Sequence, residues 1–350
     1  MGRRSRRTST TTSGRVPLAS LLASLLAGCA GGPESASATT GSSASASASA
    51  SASAAATTTA TSASTTTGAA STSAAGETTA AAGPPYVALT LLASQSDPLL
   101  GAGQGVTRRD GRIYAYGDRQ GTGVIREYDV VAGEPPSLAF SGREVVLREG
   151  GVDRIPHPTG LTWHPDHGTF LGNTVAGVGT IFVVDWAALW TDGALDDAIL
   201  HELVDDARSG GTRPELVRVD GSWRLASAGY LEGDNTLRLF DPAAVAAAAA
   251  TSEPGVLVGE APIGPWVQSL AYSEALDLLV AAQNLTYGAG WRLSVAPPAA
   301  DGLGEVQVIE EDLPSGELEG FAWLGVDTYA VLITSGAADN LWIAALDPLL

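Results

Sequence analysis

The chain has 350 residues, with 19 basic and 38 acidic side chains and a formal net charge of −19 at pH 7. The basic side chains are all arginine, and five of them lie within the first 15 residues, so the rest of the chain is more acidic still. An acidic surface disfavours nucleic acid and anionic membrane surfaces as partners, and it is compatible with bound cations or simply with solubility. The single cysteine, Cys29, rules out a disulfide within the chain.

Residues 1–28 have the pattern of an export signal. A positive stretch, Arg3 to Arg15, precedes an apolar stretch, Val16 to Ala27, which is too short to span a bilayer stably. The next residues, Leu26-Ala27-Gly28-Cys29, resemble the lipobox of bacterial lipoproteins. The resemblance implies diacylglycerol on the Cys29 thiol and cleavage before it. We therefore expect a lipid-anchored, extracytoplasmic protein of the cell envelope, with the membrane as a partner through its lipid.

Residues 29–83 are almost wholly Ala, Ser and Thr. Such a segment has too little large apolar surface to offset the entropy of ordering it, so we expect a disordered linker. A flexible linker of this length has a reach on the order of 40 Å, enough to hold a domain clear of the membrane.

Residues 84–350 contain an internal repeat of roughly 54 residues. Each unit begins with a short apolar strand, followed by a tight turn and a second strand. The aligned first-strand starts are Gln104-Gly105-Val106, Thr159-Gly160-Leu161, Pro214-Glu215-Leu216, Gln268-Ser269-Leu270 and Glu319-Gly320-Phe321. A third strand and a less regular fourth follow in most units.

Four strands at this period are typical of a propeller blade, so the sequence predicts an all-β fold, a five-bladed β-propeller. The fifth unit lacks its fourth strand, and residues 86–92 form an unused strand before the first unit. We expect that strand to complete the last blade and close the ring. Four acids follow third strands and are predicted to be structural caps rather than catalytic groups: Asp129, Asp185, Asp241 and Asp347. Residues 243–250 are predicted to be a short helix.

In a propeller, the loops before first strands and after second strands meet at one mouth of the central channel. Polar residues recur there although the neighbouring strand residues are apolar, so we expect this mouth to bind a ligand. The alternative is that these groups hold water and satisfy strand ends. The predicted ligand-binding residues are Gln104, Asp118, Arg119, Thr159, Asn173, Glu215, Tyr230, Gln268, Gln283, Glu319 and Thr334.

Calcium is the cofactor that this set could hold, since hard cations prefer oxygen ligands, and Asp118 and Glu319 are the candidate metal ligands. No contiguous calcium loop is present, so no cofactor is certain from the sequence. His157 and His164 flank one strand, and seven extended residues span on the order of 20 Å. We therefore expect them at opposite ends of a blade and not in one metal site, with His164 to Gly168 forming a turn.

Two segments resemble a first-strand signature of secreted propellers. They are Gly160 to Asp166 and Glu319 to Trp323, and the groups that share the signature include esterase-like phytases and SMP-30-like and NHL-like proteins. Arg112 to Arg119 is similar to a segment of calcium-activated apyrases, which are five-bladed. The resemblance covers single strands and implies the fold, while the activity stays open because a fold does not fix a function.

The sequence does not decide whether the domain is an enzyme. The first hypothesis is a non-catalytic propeller that binds a small polar ligand, a glycan or a protein partner at its channel mouth. A second is a hydrolase of phosphoesters or glycosides, with calcium held by Asp118 and Glu319 or with these two acting as base and acid. A third is a scaffold subunit of an envelope assembly.

Overall fold

A computed structural model describes residues 84–206, 212–233, 235–286, 288, 290–299, 302–311, 316–325 and 328–349. The signal and linker predicted for residues 1–83, Cys29 included, lie outside these residues. Nearly all of the regular structure is β, in five four-stranded antiparallel sheets. None of the helices in the described part of the chain is long and apolar enough to cross a membrane.

Each sheet is one blade, and its strands are numbered here from the inner to the outer edge. Blade 1 contains Ala102–Arg109, Arg112–Asp118, Gly123–Val131 and Ser137–Val146. Blade 2 contains Pro158–His164, Gly168–Val175, Val178–Val184 and Ile199–Asp205. Blade 3 contains Glu215–Val219, Ser222–Ser227, Thr236–Phe240 and Leu257–Pro262.

Blade 4 contains Val267–Ser273, Leu278–Gln283, Trp291–Ala296 and Gln307–Glu311. Blade 5 contains Leu318–Trp323, Tyr329–Thr334, Leu341–Pro348 and, as its outer strand, Val87–Gln95. The remaining elements are two small hairpins, a 3₁₀ turn and two α-helices: Arg148–Glu149 with Val152–Asp153, Pro298–Ala299 with Gly302–Leu303, Pro98–Leu100, Trp186–Asp192 and Pro242–Val245.

The inner strands form a ring in which each contacts the inner strands of the neighbouring blades. The predicted five-bladed propeller is thus confirmed. Apolar clusters fill the spaces between blades, such as the one that joins Val106 and Ala115 of blade 1 to Val331 and Ile333 of blade 5. The turns that join first to second strands include Asp110-Gly111 and Asp220-Gly221. Both residues of each pair have positive φ, the conformation that a two-residue hairpin turn requires.

The ring closes as predicted. The N-terminal strand Val87–Gln95 pairs antiparallel with Leu341–Pro348, so the start and the end of the domain share one blade. This arrangement satisfies an edge of the last sheet that the chain would otherwise leave unpaired. Blade 5 is therefore complete only when strands from both ends of the domain are paired.

The predicted caps are confirmed in two of four cases. Asp185 and Asp241 each accept hydrogen bonds from the first turn of a helix. The cap prediction was wrong for Asp129 and Asp347, which lie inside third strands because those strands continue past them. The helix expected over residues 243–250 is shorter than predicted: it covers Pro242–Val245 and then gives way to turns.

A buried polar latch holds the closing strand to blade 1. The Asp97 backbone N–H donates to Asn340 Oδ1 at 2.8 Å, and Asn340 Nδ2 donates to the Asp97 carbonyl at 3.0 Å. The Asp97 carboxylate accepts from Arg126 Nε at 2.8 Å and from the Tyr128 hydroxyl. Asp97, Arg126 and Asn340 are all buried, so these bonds are shielded from water. The carboxylate therefore links the closing segment to the third strand of blade 1.

We predict that Asp97→Ala lowers the free energy of unfolding by about 3 kcal/mol, because it leaves a buried guanidinium short of a partner. Chemical denaturation measures the loss. The matched control is Asp129→Ala, which removes a carboxylate that is 52 % exposed and pairs with Arg112 at 3.4 Å. The control should change stability by less than about 0.5 kcal/mol, since exposed ion pairs contribute little. Equal losses in both variants would contradict the latch.

Candidate functional site

Four of the predicted polar residues occupy the same structural position. Gln104, Thr159, Gln268 and Glu319 are each the extra residue of a β-bulge in the inner strand, where the pairing with the second strand shifts by one. A bulge re-aims side chains and is common next to functional sites. Blade 3 has Pro214 at this position, just before its inner strand begins. We call the four polar residues the bulge ring.

The residues that follow the bulge ring are small. They are Gly105, Gly160, Ser269 and Gly320. A Cβ on Gly320 would lie 2.7 Å from the Gly105 Cα, and a Cβ on Gly160 would lie 2.5 Å from the Pro214 Cδ. Neighbouring inner strands therefore approach each other closely at this level of the channel. We call these four residues, with Glu215, the waist.

Glu215 is the exception in the waist, since it carries a long side chain where the other four repeats have Gly or Ser. Its Oε1 accepts a hydrogen bond from the Tyr272 backbone N–H of blade 4 at 3.1 Å. Its carboxyl group also hydrogen-bonds the Thr162 side chain of blade 2. One carboxyl from blade 3 thus contacts both neighbouring blades, in space that the small waist residues leave open.

Burial raises the pKa of Glu215 to about 8, and the hydrogen bonds from Tyr272 and Thr162 oppose the shift only in part. Burial also raises the pKa of Tyr116, whose hydroxyl lies against Gly105 and feels the charge of Glu215. A Cβ at residue 105 would lie 2.1 Å from that hydroxyl, and φ there is 157°. Glycine at this position is therefore required by the tyrosine as well as by the backbone.

A cavity of about 650 Å³ opens at the end of the channel where the first-to-second-strand turns lie, which we call the turn end. Glu215 lines it, whereas none of the four bulge-ring residues does. Glu215 therefore lies at the inner limit of the cavity, and the bulge ring lies beyond the waist. The cavity is at the opposite end of the channel from the predicted mouth.

Aromatic side chains from four blades line the cavity: Trp163, Trp223, Tyr272, Phe321 and Trp323. The Trp223 ring packs edge-on against Tyr272 with centroids 6.0 Å apart, and it lies 4.4 Å from the imidazole of His164. Arg109 stacks on Trp163 at 4.0 Å and on Trp186 at 4.6 Å. These contacts fix the rings, so the walls are formed before any ligand arrives.

At the predicted mouth, at the other end, the described polar side chains bond to one another. All four bulge-ring residues are less than 10 % exposed. Gln268 Nε2 donates to Glu317 Oε2 at 2.7 Å, and the same oxygen accepts from the Tyr230 hydroxyl at 3.2 Å and from Asn284 Nδ2 at 3.0 Å. The structure therefore brings Gln268 and Tyr230 together around a carboxylate that the sequence did not single out.

Glu319 lies beside this network. Its pKa is raised well above the ordinary value by burial and by the charge of Glu317, while Arg213 acts in the opposite direction. Arg213 donates to the Gln268 backbone carbonyl at 3.3 Å. Whether this polar cluster binds a ligand stays a prediction.

Five predicted residues bond to their own surroundings: Asn173, Gln283 and Thr334 near second-strand ends, Arg119 just after one, and Thr159 of the bulge ring. Asn173 Oδ1 accepts from the His157 N–H at 3.3 Å, Gln283 Nε2 donates to the Pro265 carbonyl at 2.8 Å, and Thr334 is buried next to Asp339. Thr159 donates to the Thr212 carbonyl, and Arg119 pairs with Glu144 at 2.6 Å. These bonds agree with the alternative that polar groups there satisfy strand ends.

The candidate calcium ligands have different environments. Asp118 accepts from the Gly121 N–H at 2.6 Å and pairs with His157 Nδ1 at 3.2 Å, whereas Glu319 is buried inside the channel. Among the residues that the structure describes, no three His, Cys, Asp or Glu side chains are grouped to hold a metal. As predicted, His157 and His164 are at opposite ends of blade 2, and residues 165–167 form a turn.

Sequence reasoning missed the cavity because its lining residues follow the apolar alternation of strands. That alternation favours a core role for tryptophans in strands, yet Trp163 and Trp223 are only partly buried. One signal was available in the repeat alignment. Glu215 stands among Gly, Gly, Ser and Gly, and a carboxyl in a column of small residues marks a place where the channel has room.

No protein-family model matches the sequence, and the search of curated proteins finds no match. Among solved structures, the chain is similar to the glutaminyl cyclase of Myxococcus xanthus, at 14 % identity and a TM-score of 0.43, over 75 % of this chain and 97 % of the other. It is also similar to a PQQ-bound aldose sugar dehydrogenase from Streptomyces coelicolor, at 14 % identity and a TM-score of 0.45, over 76 % and 100 % of the two chains. Both are β-propellers.

We predict that Glu215 makes the protein less stable as the pH rises from about 5 to 8. In the unfolded chain the Glu215 carboxyl loses its proton near its ordinary pKa of 4.5, whereas in the folded protein it keeps the proton until about pH 8. The folded state therefore binds more protons in that window, and its free energy of unfolding falls as the pH rises, by a few kcal/mol. Denaturation of the wild type and of Glu215→Gln at several pH values measures the difference.

Glu215→Gln should flatten the pH dependence without abolishing it, because Glu319 shifts in the same direction. The control is Glu274→Gln at the cavity rim, which removes a carboxylate that is 63 % exposed and should leave the slope unchanged. A wild-type slope that is the same in Glu215→Gln would show that this carboxyl is not buried as described.

Proposed function

We propose that the protein is a lipid-anchored, extracytoplasmic binding propeller that holds a small polar ligand non-catalytically in the turn-end cavity. The single observation that carries the proposal is the cavity itself. Its volume of about 650 Å³ falls within the range of small-molecule sites, which is about 300–1,000 Å³. Its lining combines aromatic rings with polar groups at defined positions, Glu215 and Thr162 at its inner end and Arg108 and Glu274 at its rim.

The rigidity of the walls supports binding. The lining residues lie on inner strands, on the turns that follow them and, for Trp223, on the second strand of blade 3. Rings that are already packed lose little conformational entropy when a ligand arrives. A site on a closed ring of sheets is also held at fixed geometry from all sides. These features favour a pre-formed pocket over one that assembles on binding.

Support for anchoring comes from the sequence of the first 83 residues. Three features follow one another in the order that an anchored protein needs: a positive leader for export, the lipobox-like Leu26-Ala27-Gly28-Cys29 for lipidation, and the Ala/Ser/Thr linker as a tether. A tethered propeller can sample the space near the membrane on a reach set by its linker. Under this proposal the domain captures its ligand outside the cytoplasm and keeps it near the membrane.

We predict that Thr107→Trp abolishes ligand binding by filling the cavity, since Thr107 is a partly exposed lining residue. A thermal-shift screen of the mature protein with metabolites, oligosaccharides, nucleosides and amino acids provides the readout, because a ligand that binds only the folded state raises its melting temperature. At least one compound should stabilise the wild type and fail to stabilise Thr107→Trp.

The matched control is Val258→Trp on the outer strand of blade 3, a side chain that is 48 % exposed and does not line the cavity. It should respond to the compound as the wild type does. A screen in which no compound binds, or in which Thr107→Trp responds as well as the wild type, would contradict the proposed site. Recovery of the compound in chemically altered form would contradict the non-catalytic part.

We predict that Cys29→Ser moves the protein from the membrane fraction to the soluble fraction of a bacterial host that exports it, because the acylated thiol is lost. Labelling with a clickable palmitate analogue should mark the wild type and not the variant. Cys29 is the chain's single thiol, so no second cysteine can carry the lipid in its place. A variant that stays in the membrane fraction would show that something other than this lipid holds the protein.

A further inference from the structure

The character of the cavity lining narrows the class of ligand. Trp163, Trp223 and Tyr272 line the cavity and are all partly exposed, so parts of their surfaces are available to a ligand. Within the described part of the chain, the indole N–H groups of Trp163 and Trp223 have no hydrogen-bond acceptor, and neither nitrogen is fully buried. The walls therefore offer apolar ring surface together with free donors at the ring edges.

The inner part of the cavity is uncharged near neutral pH. Burial raises the pKa of Glu215 to about 8, so most of this carboxyl is protonated at pH 7. Burial, and then the neighbouring His167, lowers the pKa of His164, which keeps its imidazole neutral. An anionic ligand would lose its hydration in this space without gaining an opposite charge, and a cation would gain one only after Glu215 gave up its proton.

The charges at the rim have opposite signs. Arg108 and Glu274 line the opening, and Glu274 is 3.7 Å from Arg218 of blade 3. Because the rim carries charges of both signs, it does not select a cation over an anion. The net charge of −19 on the whole chain adds a long-range repulsion for anionic polymers. The lining thus favours a neutral ligand that has an apolar face and many hydroxyl groups.

We propose that the turn-end cavity binds uncharged saccharide chains, with a sugar ring stacked on Trp163 or Trp223 and its hydroxyl groups bonded to Glu215 and Thr162 at the inner limit. This inference rests on the proposed function, which it makes more specific. A pyranose ring has C–H groups on its faces and hydroxyls at its edges, and so matches aromatic walls that surround a polar floor. Protonated Glu215 donates a hydrogen bond to a sugar oxygen, and Thr162 accepts or donates one.

The experiment is a glycan array that displays neutral, acidic and amino-sugar chains, probed with the mature wild-type protein, followed by tryptophan-fluorescence titration of the best soluble ligand. We expect neutral chains to bind. Trp163→Ala and Trp223→Ala should each raise the dissociation constant at least about tenfold, because each removes a stacking surface. Glu215→Leu should raise it by a similar factor, since it removes the polar group at the floor.

The matched control is Trp190→Ala. Trp190 is also partly exposed and packs against Tyr114 and Trp186, and it does not line the cavity. This variant should bind within about threefold of the wild type. An equal loss of affinity in the control would show that the wall variants act through general destabilisation, which would overturn the stacking assignment.

The outcomes separate this inference from the proposed function. Suppose acidic or amino sugars, or nucleosides in the same titration, bind more tightly than every neutral glycan. The saccharide assignment then fails, while the binding cavity stands if Thr107→Trp blocks that ligand. The saccharide assignment also fails, and the binding cavity also stands, if no glycan binds but the thermal screen yields a compound whose binding Thr107→Trp blocks. If neither the array nor the screen yields a ligand, both proposals fail.

Discussion

The close approach of the inner strands at the waist is the constraint on which the rest of the structure depends. Neighbouring inner strands come within contact distance there, since a Cβ on Gly320 would lie 2.7 Å from the Gly105 Cα and a Cβ on Gly160 would lie 2.5 Å from the Pro214 Cδ. The bulges one residue earlier displace the larger polar side chains from this level.

The waist also separates two chemical environments. On one side lies a buried polar cluster in which Glu317 accepts several hydrogen bonds and Glu319 lies near Arg213. On the other side an aromatic cavity opens to solvent, with Glu215 at its inner limit. In the first environment, Glu317, Gln268, Tyr230 and the Asn284 amide nitrogen bond to one another, whereas the buried Asn284 Oδ1 has no hydrogen-bond partner among the described residues. The second environment holds a cavity lined by partly exposed aromatic rings, which is why we assign binding to it.

The fold was predictable because its signals are local and repeated. The first-strand starts, the Asp-Gly turns and the unpaired strand at residues 86–92 together specify five blades and their closure. The end of a strand is less predictable. Asp129 resembled the helix caps Asp185 and Asp241, yet its strand continues to Val131 because the outer strand Ser137–Val146 offers it further pairing. The sequence of one strand does not show where it ends, because its pairing partner lies elsewhere in the chain.

The candidate site was only partly predictable. Repetition of polar residues correctly marked one structural position, and the bulges explain why polarity recurs there. Polarity alone could not distinguish residues that face a ligand from residues that bond to each other. The cavity-lining tryptophans follow strand periodicity, and their exposure depends on how far the blades diverge beyond the waist. That divergence is a property of the assembled ring.

The most direct test of this account is the solvent accessibility of individual indole groups in the free protein. With ¹⁵N-labelled tryptophan, the eight indole N–H signals can be followed as a neutral nitroxide is added to the solution. The account predicts strong broadening for Trp163 and Trp223, which line an open cavity, and persistence of Trp291, which is buried between blades 4 and 5. Protection of Trp163 and Trp223 to the same degree as Trp291 would contradict an open turn-end cavity.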